Sequence, residues 1–248
     1  MSYINKYFIG DSEFIEKKFS GNIRSINQAF EIELELFDLI SWTLRRGIGA
    51  TNETTPIVLS GFFKGLLSIY GAFSLTLNGH YGSARIILRH AFEYLLIGKY
   101  CIVSNNSRLI TKWKNGEDIP LSREVFNKIS KPSMVRMKKL WKELCHYTHA
   151  TIFSQQAFIA SEKEVAHLNM NFALIRAFLD MNYHLFNRHL VNSSMVFYFS
   201  SYSDDEEKAR YKQLKKTARK LFSASRKIMS EETKGIVKDY IETWAATV

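Results

Sequence analysis

The sequence predicts an all-α protein, a multi-helix bundle with long central helices around a single core. The chain of 248 residues holds only 3 Pro and 12 Gly, too few turn formers for a fold of many short strands. Its hydrophobic content of 46%, with 14% aromatic residues, is ample for one large core. Apolar residues also recur at three- and four-residue steps over long stretches, which is the spacing of one helical face. No repeat, low-complexity linker or shift in composition marks a boundary. Residues 1–248 are therefore expected to form one helical domain, with 203–248 as a basic C-terminal helical extension packed on it.

A short helix is expected around Ser12 to Phe19. Ile23, Ile26, Phe30, Leu34, Phe37, Ile40 and Leu44 then form one stripe of a long helix. After a loop from Gly47 to Thr54, Thr55 reads as an N-cap and Pro56 as the first helical residue of a segment running to Leu77. Asn78 and Gly79 end it, and a helix apolar on most sides follows from Tyr81 to Val103. Beyond the polar turn Ser104 to Ser107 lies a less regular basic region with Trp113, Gly116 and Pro120, then a short helix from Ser122 to Ile129. Pro132 opens a helix running toward His149. Ser161 with Glu164 forms a capping pattern for a long run that could reach Phe199. Ser203 with Glu206 repeats the pattern before a basic amphipathic helix to Lys227, and Ser230 caps a final helix ending near Trp244.

Cys101 and Cys145 lie in apolar helical stretches, and the first residues carry no basic-plus-apolar leader, so reduced thiols and a cytoplasmic location are expected. The segment Ile57 to Leu77 has the length of a membrane span, but Lys64 interrupts it, and Gly61, Gly65, Ser68 and Ala72 form a small-residue face suited to close helix contact. The next helix carries Arg85, Arg89, His90 and Glu93, which would be costly in lipid. No membrane partner is therefore expected, whereas an apolar helix face would allow a homodimer. The formal charge of +10 points to a polyanionic partner, either nucleic acid or an acidic protein.

Four ionisable residues within a very apolar helix, Arg85, Arg89, His90 and Glu93, need partners. Glu93 lies four residues from Arg89 and three from His90, so one carboxylate can reach both. Two readings follow: a buried ion pair that fixes helix register, or the wall of an active site. A second group, Glu143, His146 and His149, falls along one side of a helix end. Glu-x-x-His is the unit of di-iron bundle sites, but only His90-x-x-Glu93 echoes it, in reversed order, so structural or hydrogen-bonding histidines outweigh a metal. No metal or other cofactor is expected: phosphate loops, Cys-x-x-Cys, His-Glu-x-x-His and nucleophile elbows are all missing from the sequence.

The pairing of Ala84-Arg85, Leu88-Arg89-His90-Ala91-Phe92-Glu93 with Leu144-Cys145-His146-Tyr147-Thr148-His149 resembles a group of bacterial helical proteins. Some of these are similar to the HEPN superfamily, many of whose members are metal-independent ribonucleases of toxin and antiphage systems. The likeness spans Gly79 to Gln156, and Arg85 to His90 matches the Arg-to-His spacing of HEPN nucleases. It implies endoribonuclease activity in defence or a toxin system, with His90 as general base on a ribose 2′-hydroxyl and Arg85 steadying the phosphate. His146 or His149 would then protonate the leaving oxygen.

A third feature is the basic helix from Glu207 to Lys227. There Lys208, Arg210, Lys212, Lys215, Lys216, Arg219 and Lys220 surround an apolar stripe of Tyr211, Leu214, Ala218, Leu221 and Phe222. A solvated face is one reading and contact with RNA or DNA phosphates the other. A second basic segment holds Lys128, Lys131, Arg136, Lys138 and Lys139. Three functions follow in order: an RNA-engaging protein, an interaction protein without catalysis, and a metal-dependent bundle enzyme using His90, Glu93, Glu143, His146 and His149.

Overall fold

A computed structural model of the chain describes residues 12–46, 55–104, 106–127, 132–146, 164–192 and 201–232. In chain order they form α1 (Ser12–Lys18), α2 (Ser20–Arg46), α3 (Thr55–Leu77), α4 (Tyr81–Ser104), α5 (Ser107–Lys114), a π-helical turn (Ser122–Phe126), α6 (Pro132–Cys145), α7 (Glu164–Asn192) and α8 (Asp205–Glu232). Among the described residues there is no strand, and the all-α expectation holds. None of these helices is long and apolar enough to cross a membrane.

At the centre α3, α4 and α7 pack on one another. The small-residue face of α3 is what lets α4 come close. A Cβ added at Gly61 would stand 3.2 Å from the carbonyl oxygen of Tyr94, so any larger residue there pushes the two backbones apart. Gly98 faces Leu185 of α7 just as tightly, at 3.2 Å. The chain turns from α3 into α4 at Gly79, whose φ of 78° is left-handed and favours glycine. His80 N–H closes the turn on the carbonyl of Leu75 at 2.8 Å.

Every residue of α7 from Asn171 to Tyr183 is buried, so this middle stretch of the helix is enclosed on all sides. Rings fill the surrounding space: Phe62 stacks on Phe186 with centroids 4.2 Å apart, and Phe92 on Phe178 at 5.4 Å. Each such buried ring contributes about 1.5–3 kcal/mol. The buried polar residues of α7 fasten neighbouring helices, since a buried polar group needs a partner. Asn182 donates to Glu33 of α2 at 2.7 Å, Arg176 donates to Asn22 of α2, and Asp180 accepts two hydrogen bonds from Arg226 of α8.

Several boundaries differ from expectation. The region after Ser104 is regular in its first half: Asn106 caps α5 by accepting from the N–H of Leu109 at 3.2 Å, and Leu109 and Ile110 bury its inner face, while residues 115–120 around Gly116 and Pro120 form a turn and an irregular stretch as expected. The cap of α8 is Asp204 rather than Ser203. Glu207 N–H donates to the Asp204 carboxylate at 2.7 Å while Asp204 N–H donates back to Glu207 at 3.1 Å, a reciprocal capping box one residue later. Helix α8 continues past Lys227 to Glu232, so Ser230 lies within it instead of opening another helix. Ser161 and the segment toward Trp244 lie outside the described residues.

Candidate functional site

Helix α4 presents Arg89, His90 and Glu93 to an open cleft of about 440 Å³. Its other walls are Ile57 and Gly61 of α3, Trp113 of α5, residues 117–122 and Trp141 of α6. The helical spacing anticipated the contacts: Arg89 Nε donates to Glu93 Oε1 at 2.9 Å, and His90 Nδ1 lies 3.8 Å from Glu93 Oε2. Glu93 Oε1 accepts a second bond, from Trp141 Nε1 at 3.0 Å, and the Arg89 guanidinium lies 5.8 Å from the centre of that indole. His90 is the accessible member, with 56% of its side chain exposed. Behind this wall, burial pushes the thiol of Cys145 up, which leaves it protonated and unreactive at neutral pH.

Arg85 does not line this cleft. Five residues separate it from His90, about 140° around a helix at ~3.6 residues per turn, so the pair cannot share a face. Its side chain is buried against α7, where Nε donates to Asn171 Oδ1 at 2.8 Å and Nη2 contacts His167 Nδ1 at 3.1 Å. Guanidinium groups only donate, so His167 Nδ1 accepts and its proton sits on Nε2. Asn171 in turn donates to Thr76 Oγ1 and to the Tyr81 carbonyl, both at 3.2 Å, which completes a knot between α3, α4 and α7.

Glu143 on α6 and His146 in the turn just after it are exposed and are not among the residues lining the cleft, while His149 lies outside the described residues. Among the described residues no three His, Cys, Asp or Glu side chains group as a metal ion would require.

The basic helix sorts into two sets. Lys208 approaches Asp205 at 3.9 Å, Arg210 pairs with Glu35 of α2 at 3.1 Å, and Lys215 lies half-buried 5.6 Å from the Tyr211 ring centre. Burial, and then the charge of Arg219, lower the pKa of Lys215. Lys212, Lys216, Arg219 and Lys220 are exposed, and the three lysines make no ion pair among the described residues. Helix α8 packs on α2 and α7, whereas the cleft is built from α3, α4, α5, α6 and the segment between them.

Comparison with protein-family models, curated proteins and solved structures finds no match.

The cleft walls outside α4 were not anticipated as a site. Trp113 falls in the basic region expected to be less regular, Trp141 on the helix that Pro132 opens, and neither was singled out for a site. The available signal was Gly116 directly after an amphipathic segment, a helix-ending pattern that turns Glu117 and Asp118 back toward Trp113.

Proposed function

We propose that the protein engages RNA through the exposed face of α8. The observation that supports this reading is the row of Lys212, Lys216, Arg219 and Lys220, all exposed and at three- or four-residue steps. At ~1.5 Å rise per residue, cations four residues apart stand about 6 Å apart along the axis, which forms a line of charge rather than a scatter. A phosphate backbone laid on that line releases its condensed counterions, which gives sequence-independent affinity. The resemblance to HEPN proteins is what selects RNA among polyanions.

The surroundings of His90 favour binding over cleavage. A ribonuclease would need a cation facing the scissile phosphate beside the general base. Arg85 is buried in the knot with α7, Arg89 is engaged by Glu93, and Glu117 and Asp118 add negative charge to the cleft.

Binding of a short single-stranded RNA, measured across a salt series, tests the reading. Four phosphate contacts give a slope of log K against log salt near ~−3. Lys212→Ala with Lys216→Ala should flatten that slope by about 1.4. An unchanged slope and affinity would remove α8 from the proposal. The RNA is expected to stay intact, and cleavage that vanishes in His90→Ala would establish the endoribonuclease instead.

A further inference from the structure

The cleft is electrically out of keeping with the protein around it. The chain carries a formal charge of +10, yet the cleft is lined by three carboxylates, Glu93, Glu117 and Asp118, against one guanidinium, Arg89. With His90 neutral the formal balance is −2 in a cavity of about 440 Å³. That volume lies in the ~300–1,000 Å³ range of small-molecule sites. A phosphate entering here meets carboxylates, and a cation meets an attractive field.

The aromatic walls have the same preference. Arg89 lies over Trp141, and Lys64 lies 5.7 Å from the ring centre of Tyr94, so two of the three large rings lining the cleft each already hold a cation of the chain. Trp113 has no ring partner and no cation over it among the described residues. The backbone places carboxylates beside it. Gly116, at a φ of +68°, ends α5 in a left-handed turn, its N–H donates to the Trp113 carbonyl at 3.1 Å, and Glu117 N–H reaches back to Lys112 at 2.9 Å. Glu117 and Asp118 therefore follow Trp113 at the exposed mouth of the cleft. Lys112 also bonds Glu124 at 3.0 Å, which ties α5 to the π-helical turn and holds the two sides of the wall together.

We propose that this cleft is a binding site for a small organic cation, an alkylammonium or alkylguanidinium, seated against the Trp113 indole with Glu117 and Asp118 as its counter-charges. The site is separate from the basic face of α8, and neither proposal depends on the other.

The test is a titration of the full-length protein with agmatine and with cadaverine, followed by tryptophan fluorescence and melting temperature, with adenosine monophosphate as the anionic control. Saturable binding of agmatine or cadaverine, well above that of the nucleotide, is expected. The double variant Glu117→Gln, Asp118→Asn changes two exposed side chains, so it should fold normally, and it should bind the cations about tenfold more weakly. Its RNA affinity should be unchanged, which separates failure here from failure of the α8 reading. Absence of saturable cation binding, equal binding of the nucleotide, or undiminished affinity in the double variant would overturn the proposal.

Discussion

Glu33 lies on α2 with no exposed surface, and its Oε2 accepts from Asn182 Nδ2 at 2.7 Å. Two acceptors, Glu33 Oε1 and Asn182 Oδ1, are buried there without a donor. A proton on Glu33 supplies the missing donor, and burial, reinforced by the nearby Asp180 carboxylate, pushes the Glu33 pKa well above the usual value of 4.5. The folded state thus binds this proton more tightly than the unfolded chain. The resulting stability is fully present below pH ~4.5 and is lost as pH rises through the folded-state value. Glu33→Gln carries the donor at every pH. Its melting temperature should exceed that of the wild type by a margin that grows toward alkaline pH, and equal profiles would show an ionised Glu33.

Glu93 accepts hydrogen bonds from two donors, Arg89 and Trp141. Glu93→Ala should destabilise the protein by about 1–3 kcal/mol in denaturant unfolding, because Arg89 and Trp141 both lose their partner. The Arg89, His90 and Glu93 group was legible in the sequence because helical spacing alone brings those residues together. Arg85 was not, since its surroundings depend on Asn171 and His167, more than eighty residues away. Spacing along one helix does not say which neighbour will cover each face.

Helix α8 is held to the bundle by an ion pair and a ring contact. Arg226 donates to Asp180 at 2.5 and 2.8 Å, and Phe222 stacks on Tyr183 with centroids 5.0 Å apart. Arg226→Ala leaves the buried Asp180 carboxylate with only His184, whose Nε2 lies 3.2 Å from Oδ1, and a loss of about 1–3 kcal/mol is expected in denaturant unfolding. Faster hydrogen exchange should appear first along α8. The contact between α3 and α4 makes a different demand. Gly61→Ala sets a methyl against a backbone carbonyl that cannot rotate away, and about 1–3 kcal/mol should be lost on thermal unfolding. The long helices were legible because their apolar stripes repeat over many turns. Helix α5 was not, because eight residues hold too few turns to show a period, and Asn106 was its only clear signal. The cap of α8 was misplaced by one residue because Ser203, Asp204, Glu206 and Glu207 offer two overlapping versions of one pattern.

At the scale of the whole molecule, charge is segregated. The net positive charge was legible by counting, and the row of cations on α8 by helical spacing. The negative cleft was not, because its carboxylates come from two separate stretches of chain, Glu93 on α4 and the adjacent Glu117 and Asp118, whose sum appears only after folding. Competition offers a check: saturating agmatine should leave RNA affinity unchanged, and mutual exclusion would place both ligands on one surface.

Because the polar side chains of α7 complete hydrogen bonds for Asn22, Glu33, Thr76 and Arg85, the first three long helices cannot finish folding before that helix exists. On a ribosome, the roughly 90 residues from Ser104 to Asn192 take about 5–20 s to emerge at ~5–20 residues/s. For that interval the nascent α3 and α4 carry an open apolar groove. A chain stalled before α7 should be readily cut by protease and held by a chaperone, and one stalled well beyond it should resist both.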